Sequence, residues 1–156
     1  MITSKKQKEA EKFEAFVYDW FQENKKLTLS HYHTKEEQFE KGENRQGIEI
    51  KNDQMFKKTG NLFISVMRQY DWSDYPSGIM KTYNGQPQSW LYVIGCEKMF
   101  YVFSTKQLIK YYEENKPKLF KGFITEKNGT EYGFLLSKGQ AERLCVIKFD
   151  NQLKLF

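Results

Sequence analysis

The sequence predicts a single mixed α/β domain, and three observations predict it. Apolar residues recur at helical spacing over residues 4–23, strand-like apolar runs begin with "GIEIKND" at 47–53, and a second helical pattern at 105–116 interrupts the strands. A chain of 156 residues is of one-domain size and hides roughly 70% of its unfolded surface on folding. With 39% hydrophobic and 29% charged residues, three prolines and ten glycines, it is neither a disordered nor a collagen-like chain.

In the first helix Ala10, Phe13, Phe16, Val17, Trp20 and Phe21 share a face, and Ser4 with Gln7 forms a capping-box pattern. "LTLSHYH" (27–33) is compatible with strand or loop. "TKEEQFEKGENRQG" (34–47) has no clear period and reads as loop or a turn of helix. "GIEIKND" and "LFISVMRQ" (62–69) are strands expected to be neighbours, joined by a connection in which Gly60 and Asn61 form a turn. After "YDWSDYPS" come "GIMKTY", a Gly-Pro-containing turn, and the hairpin "SWLYVIG" and "KMFYVFS". Ser104 and Gln107 cap the helix at 105–116, and Pro117 ends it. "FITEK", a hairpin turn at Asn128 and Gly129, "TEYGFLLS", a short helix capped by Ser137, and the strand "CVIKF" complete the chain.

Composition limits function only loosely. An excess of 25 Lys and Arg over 20 Asp and Glu gives a net charge of +5 and a pI near 9.0, compatible with a polyanionic partner without requiring one. Aromatics, at 17%, fall mostly at core-facing positions, although such rings also stack on bases. Cys96 and Cys145 lie in apolar runs without metal-site spacing, so buried free thiols and a reducing cytoplasm are expected. No apolar run approaches the ~20 residues of a membrane span, and the N-terminus has no signal-peptide core. His31 and His33 lack further Cys or His partners for zinc and read as loop histidines.

The chemistry concentrates in "GIEIKND". On a strand Ile48 and Ile50 face one way, and Glu49, Lys51 and Asp53 the other. Such a row is a solvated face or a hydrolytic site. In the second case Glu49 and Asp53 supply oxygen ligands to Mg²⁺ or Mn²⁺, and Lys51 orients or activates water against a phosphodiester. Arg45, Lys57 and Lys58 flank the row and could contact phosphates.

The runs "GENRQGIEIKNDQMFKKTGNLFISV" (42–66), "PSGIMKTYNGQPQSWLYVIG" (76–95) and "FYVFSTKQL" (100–108) resemble small phage and bacterial proteins of the PD-(D/E)XK nuclease superfamily, over roughly residues 36–112. The resemblance implies a restriction-endonuclease-like fold, a mixed central sheet flanked by helices. It also implies a Mg²⁺-dependent DNA phosphodiesterase site at Glu49, Lys51 and Asp53, with a homodimer by analogy with enzymes that cut both strands. The first acid could also lie upstream, at Glu43 or Glu40. One departure stands out: relatives usually carry an acid where Ser65 stands here. Two alternatives therefore remain: a catalytically degenerate DNA-binding or accessory module, and a protein-interaction domain whose charged row is only solvated.

Overall fold

A computed structural model describes residues 5–125 and 129–151, with the backbone alone at 123–125. The Ser4 cap and Asn128 lie outside the described residues.

The N-terminal periodicity becomes α1 (Lys5–Lys25), which buries Phe13, Val17 and Phe21, while Ala10 stays exposed. "TKEEQFEK" is more ordered than its lack of period suggests. Thr34 caps α2 (Lys35–Lys41) by accepting from the Glu37 amide at 3.1 Å, a Thr-x-x-Glu start signal sufficient for two turns. Then come β1 (Ile48–Asn52), α3 (Met55–Thr59), β2 (Asn61–Gln69) and β3 (Asp74–Pro76). "GIMKTY" is a 3₁₀ turn (Gly78–Met80) running into β4 (Thr82–Tyr83), which pairs with β5 (Gln86–Pro87). The remaining elements are β6 (Leu91–Cys96), β7 (Met99–Ser104), α4 (Thr105–Asn115), β8 (Phe120–Thr125), β9 (Gly129–Ser137), α5 (Lys138–Leu144) and β10 (Ile147–Asp150). Ser137 caps α5 as expected, and Gln140 completes a capping box with it. Ser104 occupies the N-cap position of α4 without a side-chain cap bond. Cys145 ends α5 and is only partly buried, whereas Cys96 is buried in β6.

The strands form two four-stranded sheets and the small β4–β5 hairpin, so the domain is mixed α/β. The first sheet has the order β1-β6-β7-β10, with β1 parallel to β6 and the other pairs antiparallel. The second, β3-β2-β9-β8, is antiparallel. β1 and β2 are therefore not neighbours, contrary to expectation. Asp53 ends β1, α3 turns the chain, and Gly60 leaves that helix at φ +74°, a left-handed conformation that glycine adopts without strain, sending β2 into the other sheet.

The first sheet is packed on both faces. α1 covers one, where Ile48, Ile50, Val93, Phe100, Val102 and Phe149 meet its apolar stripe. The other face supplies Tyr92, Ile94, Tyr101 and Phe103 to a core shared with Leu62, Ile64, Val66 and Phe134 of the second sheet. β1 is an edge strand, so its outward-facing backbone groups need partners from elsewhere.

Candidate functional site

In-register pairing fixes which way the charged row points. Glu49 lies beside Tyr92 and Lys51 beside Ile94, both in the core between the sheets, so these charges emerge on the side of the second sheet. Lys51 Nζ sits 2.9 Å from Glu49 Oε1, with the lysine 47% and the glutamate 19% exposed. The carboxylate is screened and the ammonium reaches water. Glu49 holds the Lys51 ammonium in its charged form, raising its pKa against the opposing effect of desolvation.

Asp53 takes a different path. Its Oδ2 accepts from the Phe63 amide at 2.9 Å and its Oδ1 from the Phe56 amide at 3.2 Å, joining the end of β1 to α3 and β2. Desolvation raises its pKa against these backbone donors. Both oxygens thus have structural work at a joint.

Glu43 reaches the free edge of β1 from the loop before it. Its Oε2 accepts from the Ile50 amide at 2.9 Å, satisfying an edge donor. Burial, a side-chain hydrogen bond with Glu14 of α1 and the charge of Glu49 push its pKa up to about 10, so a proton stays in this carboxyl cluster at neutral pH. Asn44 clamps the same turn through Ile48, donating to its carbonyl at 2.7 Å and accepting from its amide at 3.0 Å.

His31 joins the cluster from a loop. Its Nδ1 is 3.2 Å from the Glu43 carbonyl, and its Nε2 lies 2.9 Å from Glu14 Oε1 and 3.2 Å from the Tyr18 hydroxyl. If Nδ1 carries the proton given to the carbonyl, Nε2 either accepts from Tyr18 as neutral imidazole or donates to Glu14 as imidazolium. His33 is exposed.

The second sheet brings further charges to the Lys51 side. Glu131 accepts hydrogen bonds from Ser65 and, at 3.2 Å, from Ser77, and its Oε2 stands 3.5 Å from Arg68. Glu131 thus places a carboxylate against the hydroxyl of Ser65, the position that lacked an acid. Burial raises the Tyr92 pKa, and the charges of Lys51, Glu49, Glu131 and Asp53 all act on that phenol. Desolvation and then Lys51 lower the pKa of Lys81, which also feels Glu49, Arg68 and Glu131. These cations and carboxylates bridge the two sheets around Tyr92.

Of the other residues singled out by sequence, Glu40 is exposed on α2, and Arg45 lies over the Tyr32 ring at 5.1 Å. Lys57 pairs with Glu97 at 2.7 Å, and Lys58 is exposed. The structure brings Glu43, Glu49 and Lys51 together and commits Asp53 to the backbone. Sequence reasoning missed Glu14, Tyr18, Arg68, Lys81, Tyr92 and Glu131. Glu14 and Tyr18 carried a faint signal, polar groups one turn apart beside the apolar stripe of α1. Glu131 carried none, because it faces Arg68 only through the β2–β9 register.

Among the described residues, no three His, Cys, Asp or Glu side chains form a group arranged to hold a metal ion. No helix among them is long and apolar enough to cross a membrane. Comparison with known protein families, with curated proteins and with solved structures finds no match to this chain.

Proposed function

We propose that the Glu49–Lys51 side of β1 is a DNA phosphodiesterase site using Mg²⁺ or Mn²⁺, on a restriction-endonuclease-like domain related to PD-(D/E)XK nucleases. The observation that carries this reading is the meeting of Glu43, Glu49 and Lys51 at the free edge of β1. A Glu-x-Lys pair there gains a second carboxyl from the preceding loop, which is itself hydrogen-bonded to Glu14 of α1. Carboxyls crowded until one retains its proton are a place where a divalent cation replaces that proton and relieves the repulsion.

Glu43 and Glu49 would hold the ion. Mg²⁺ usually keeps several waters and takes only one or two protein carboxylates, so two carboxyls with waters and a phosphate oxygen would suffice, although no group of three His, Cys, Asp or Glu forms among the described residues. When bound, the ion acidifies a coordinated water and neutralises charge building on the phosphate. The chain's own groups do the rest. Lys51, fixed by Glu49 and open to water, orients the attacking water and shields the developing negative charge. Lys81 and Arg68 add positive potential near Lys51, Glu131 holds Arg68 in place, and Asp53 anchors the end of the strand. In the cleavage step the water oxygen bonds to phosphorus and gives up a proton to solvent, the bond to one ester oxygen breaks, and that oxygen leaves with a proton from solvent.

A non-catalytic DNA-binding module on the same fold is the second reading. It is favoured by Ser65, whose hydroxyl is spent on Glu131, and by Asp53, whose carboxylate is spent on two amides. Plasmid and branched DNA incubated in Mg²⁺ or Mn²⁺, with Glu49→Ala and Lys51→Ala as controls, separate the two. Cleavage by the parent chain and not by either variant supports the first reading; metal-independent binding without cleavage selects the second. Two free cysteines, one buried and one partly buried, suit a cytoplasmic setting for either.

A further inference from the structure

Beside the charged site the structure holds a cavity of about 180 Å³ that the cleavage chemistry does not use. It opens between α2, the turn before β1, the β4–β5 hairpin and the start of β6, with Tyr32, Tyr83 and Trp90 as its rings and Lys41 and Arg45 as its cations. Pockets that bury drug-sized ligands measure roughly 300–1,000 Å³, so this one has room for a single ring system.

Its chemistry is selective. Lys41 and Arg45 stand 5.7 and 5.1 Å from the centre of the Tyr32 ring, and Lys106 stands 5.4 Å from that of Trp90. The pocket lining contains no Asp or Glu; the nearest pairing is a loose one, Lys41 to Glu37 at 3.8 Å. Trp90 is 56% exposed, an unusual position for so large an apolar ring. Its place is built in. Gly47, at φ +71°, lies so close that a Cβ there would come within 2.5 Å of the Trp90 ring, and the Trp90 amide donates to the Gly47 carbonyl at 2.7 Å.

The cavity also connects to the charged site. Asn44 and Gly47 line it on either side of the turn that carries Ile48, one residue before Glu49. At the neighbouring rim Lys81 lies 5.3 Å from the centre of the exposed Phe39 ring and senses both Lys51 and Glu49. Rings interleaved with cations and free of acids fit a planar base joined to a phosphate. A paired base is stacked inside its duplex and offers no face to such a pocket.

We propose that this cavity binds one unpaired nucleotide of a DNA strand, its base against Trp90 and Tyr32 and its phosphate on Lys41 and Arg45. Resting on the phosphodiesterase reading, this makes the substrate a DNA with a single-stranded stretch next to the scissile bond. Binding is measured in EDTA, where cleavage cannot intervene, by anisotropy of fluorescein-labelled oligo(dT) and of a blunt duplex of equal length. Oligo(dT) is expected to bind more tightly than the duplex. Trp90→Leu and Arg45→Ala, with melting temperatures matched to the parent, are expected to weaken oligo(dT) binding about 5- to 150-fold and duplex binding little. Unchanged oligo(dT) affinity in Trp90→Leu, a preference for duplex, or no binding of either DNA overturns the proposal. Competition by dTMP as strong as by oligo(dT) overturns the strand and reassigns the pocket to free nucleotides. Binding as expected with no cleavage in Mg²⁺ sinks the phosphodiesterase reading and leaves the pocket standing.

Discussion

The two faces of β1 are built from alternate residues of one short strand, yet they obey different rules. On the α1 side Ile48 and Ile50 enter a dry cluster in which Phe100 meets Phe149 at 4.8 Å, Trp20 at 5.4 Å and Phe13 at 6.0 Å between ring centres. On the other side Glu49 and Lys51 lie between a buried phenol and water, among charges from three further elements. One face is governed by volume and the other by charge balance. A substitution should therefore damage stability on the first and chemistry on the second.

The largest effect should come from the dry face. Phe100→Ala leaves a hole among four aromatic neighbours and is expected to cost about 3–5 kcal/mol, read as a lower midpoint in urea. A loss below about 1 kcal/mol would mean that this cluster is not the close-packed unit described. On the charged face Lys51→Ala should leave the urea midpoint within about 1 kcal/mol, because the ammonium it removes is about half exposed. The same variant should lower Mg²⁺-dependent cleavage by about 100-fold or more in a plasmid-nicking assay. Equal losses of activity and stability would erase the contrast.

Asp53 lies where the contrast is sharpest, since it belongs to the charged row by sequence and to the scaffold by its bonds. Asp53→Ala strands the Phe56 and Phe63 amides and should cost about 1–3 kcal/mol of stability. Asp53→Asn keeps an acceptor oxygen and should retain most of the cleavage rate. A collapse of activity in a stable Asp53→Asn variant would restore it to the proposed metal site.

Glu43 supplies a pH test. Its folded pKa, about 10, exceeds its ordinary value of 4.5. Between these values the folded chain binds more protons than the unfolded one, so its contribution to stability is full below about pH 4.5 and is lost as pH rises toward 10. Each pH unit in that window removes on the order of 1 kcal/mol at most. Glu43→Gln should flatten the pH dependence of the melting temperature and melt higher than the parent at pH 8; parallel curves would refute the assignment. At the small end, Lys57→Ala breaks an exposed pair with Glu97 and should move stability by no more than about 1 kcal/mol.

The aromatic stripe of α1, the hairpin of β6 and β7 and the Ser137 cap were legible because local patterns encode them. Helix α2 was legible in principle through Thr34 and Glu37, and its missing apolar period hid it. The separation of β1 from β2 was not legible, because a five-residue helix and one left-handed glycine redirect the chain without altering the period-two signal on either side. That Glu49 and Lys51 share one side of β1 was legible from alternation alone. The partner carboxyl of Glu43 stood among the possibilities for the first acid, and only its bond to the Ile50 amide distinguishes it from exposed Glu40.

By itself the sequence determined which residues share a face of each element, since a strand repeats every two residues and a helix every 3.6, whatever surrounds them. It therefore determined that Glu49 and Lys51 emerge together, opposite Ile48 and Ile50. Only the tertiary structure decided what stands across from them. Glu43, Lys81 and Glu131 arrive from a loop, a turn and another sheet, with Glu14 of a helix behind Glu43, and such meetings depend on chain path and register, which no local spacing records.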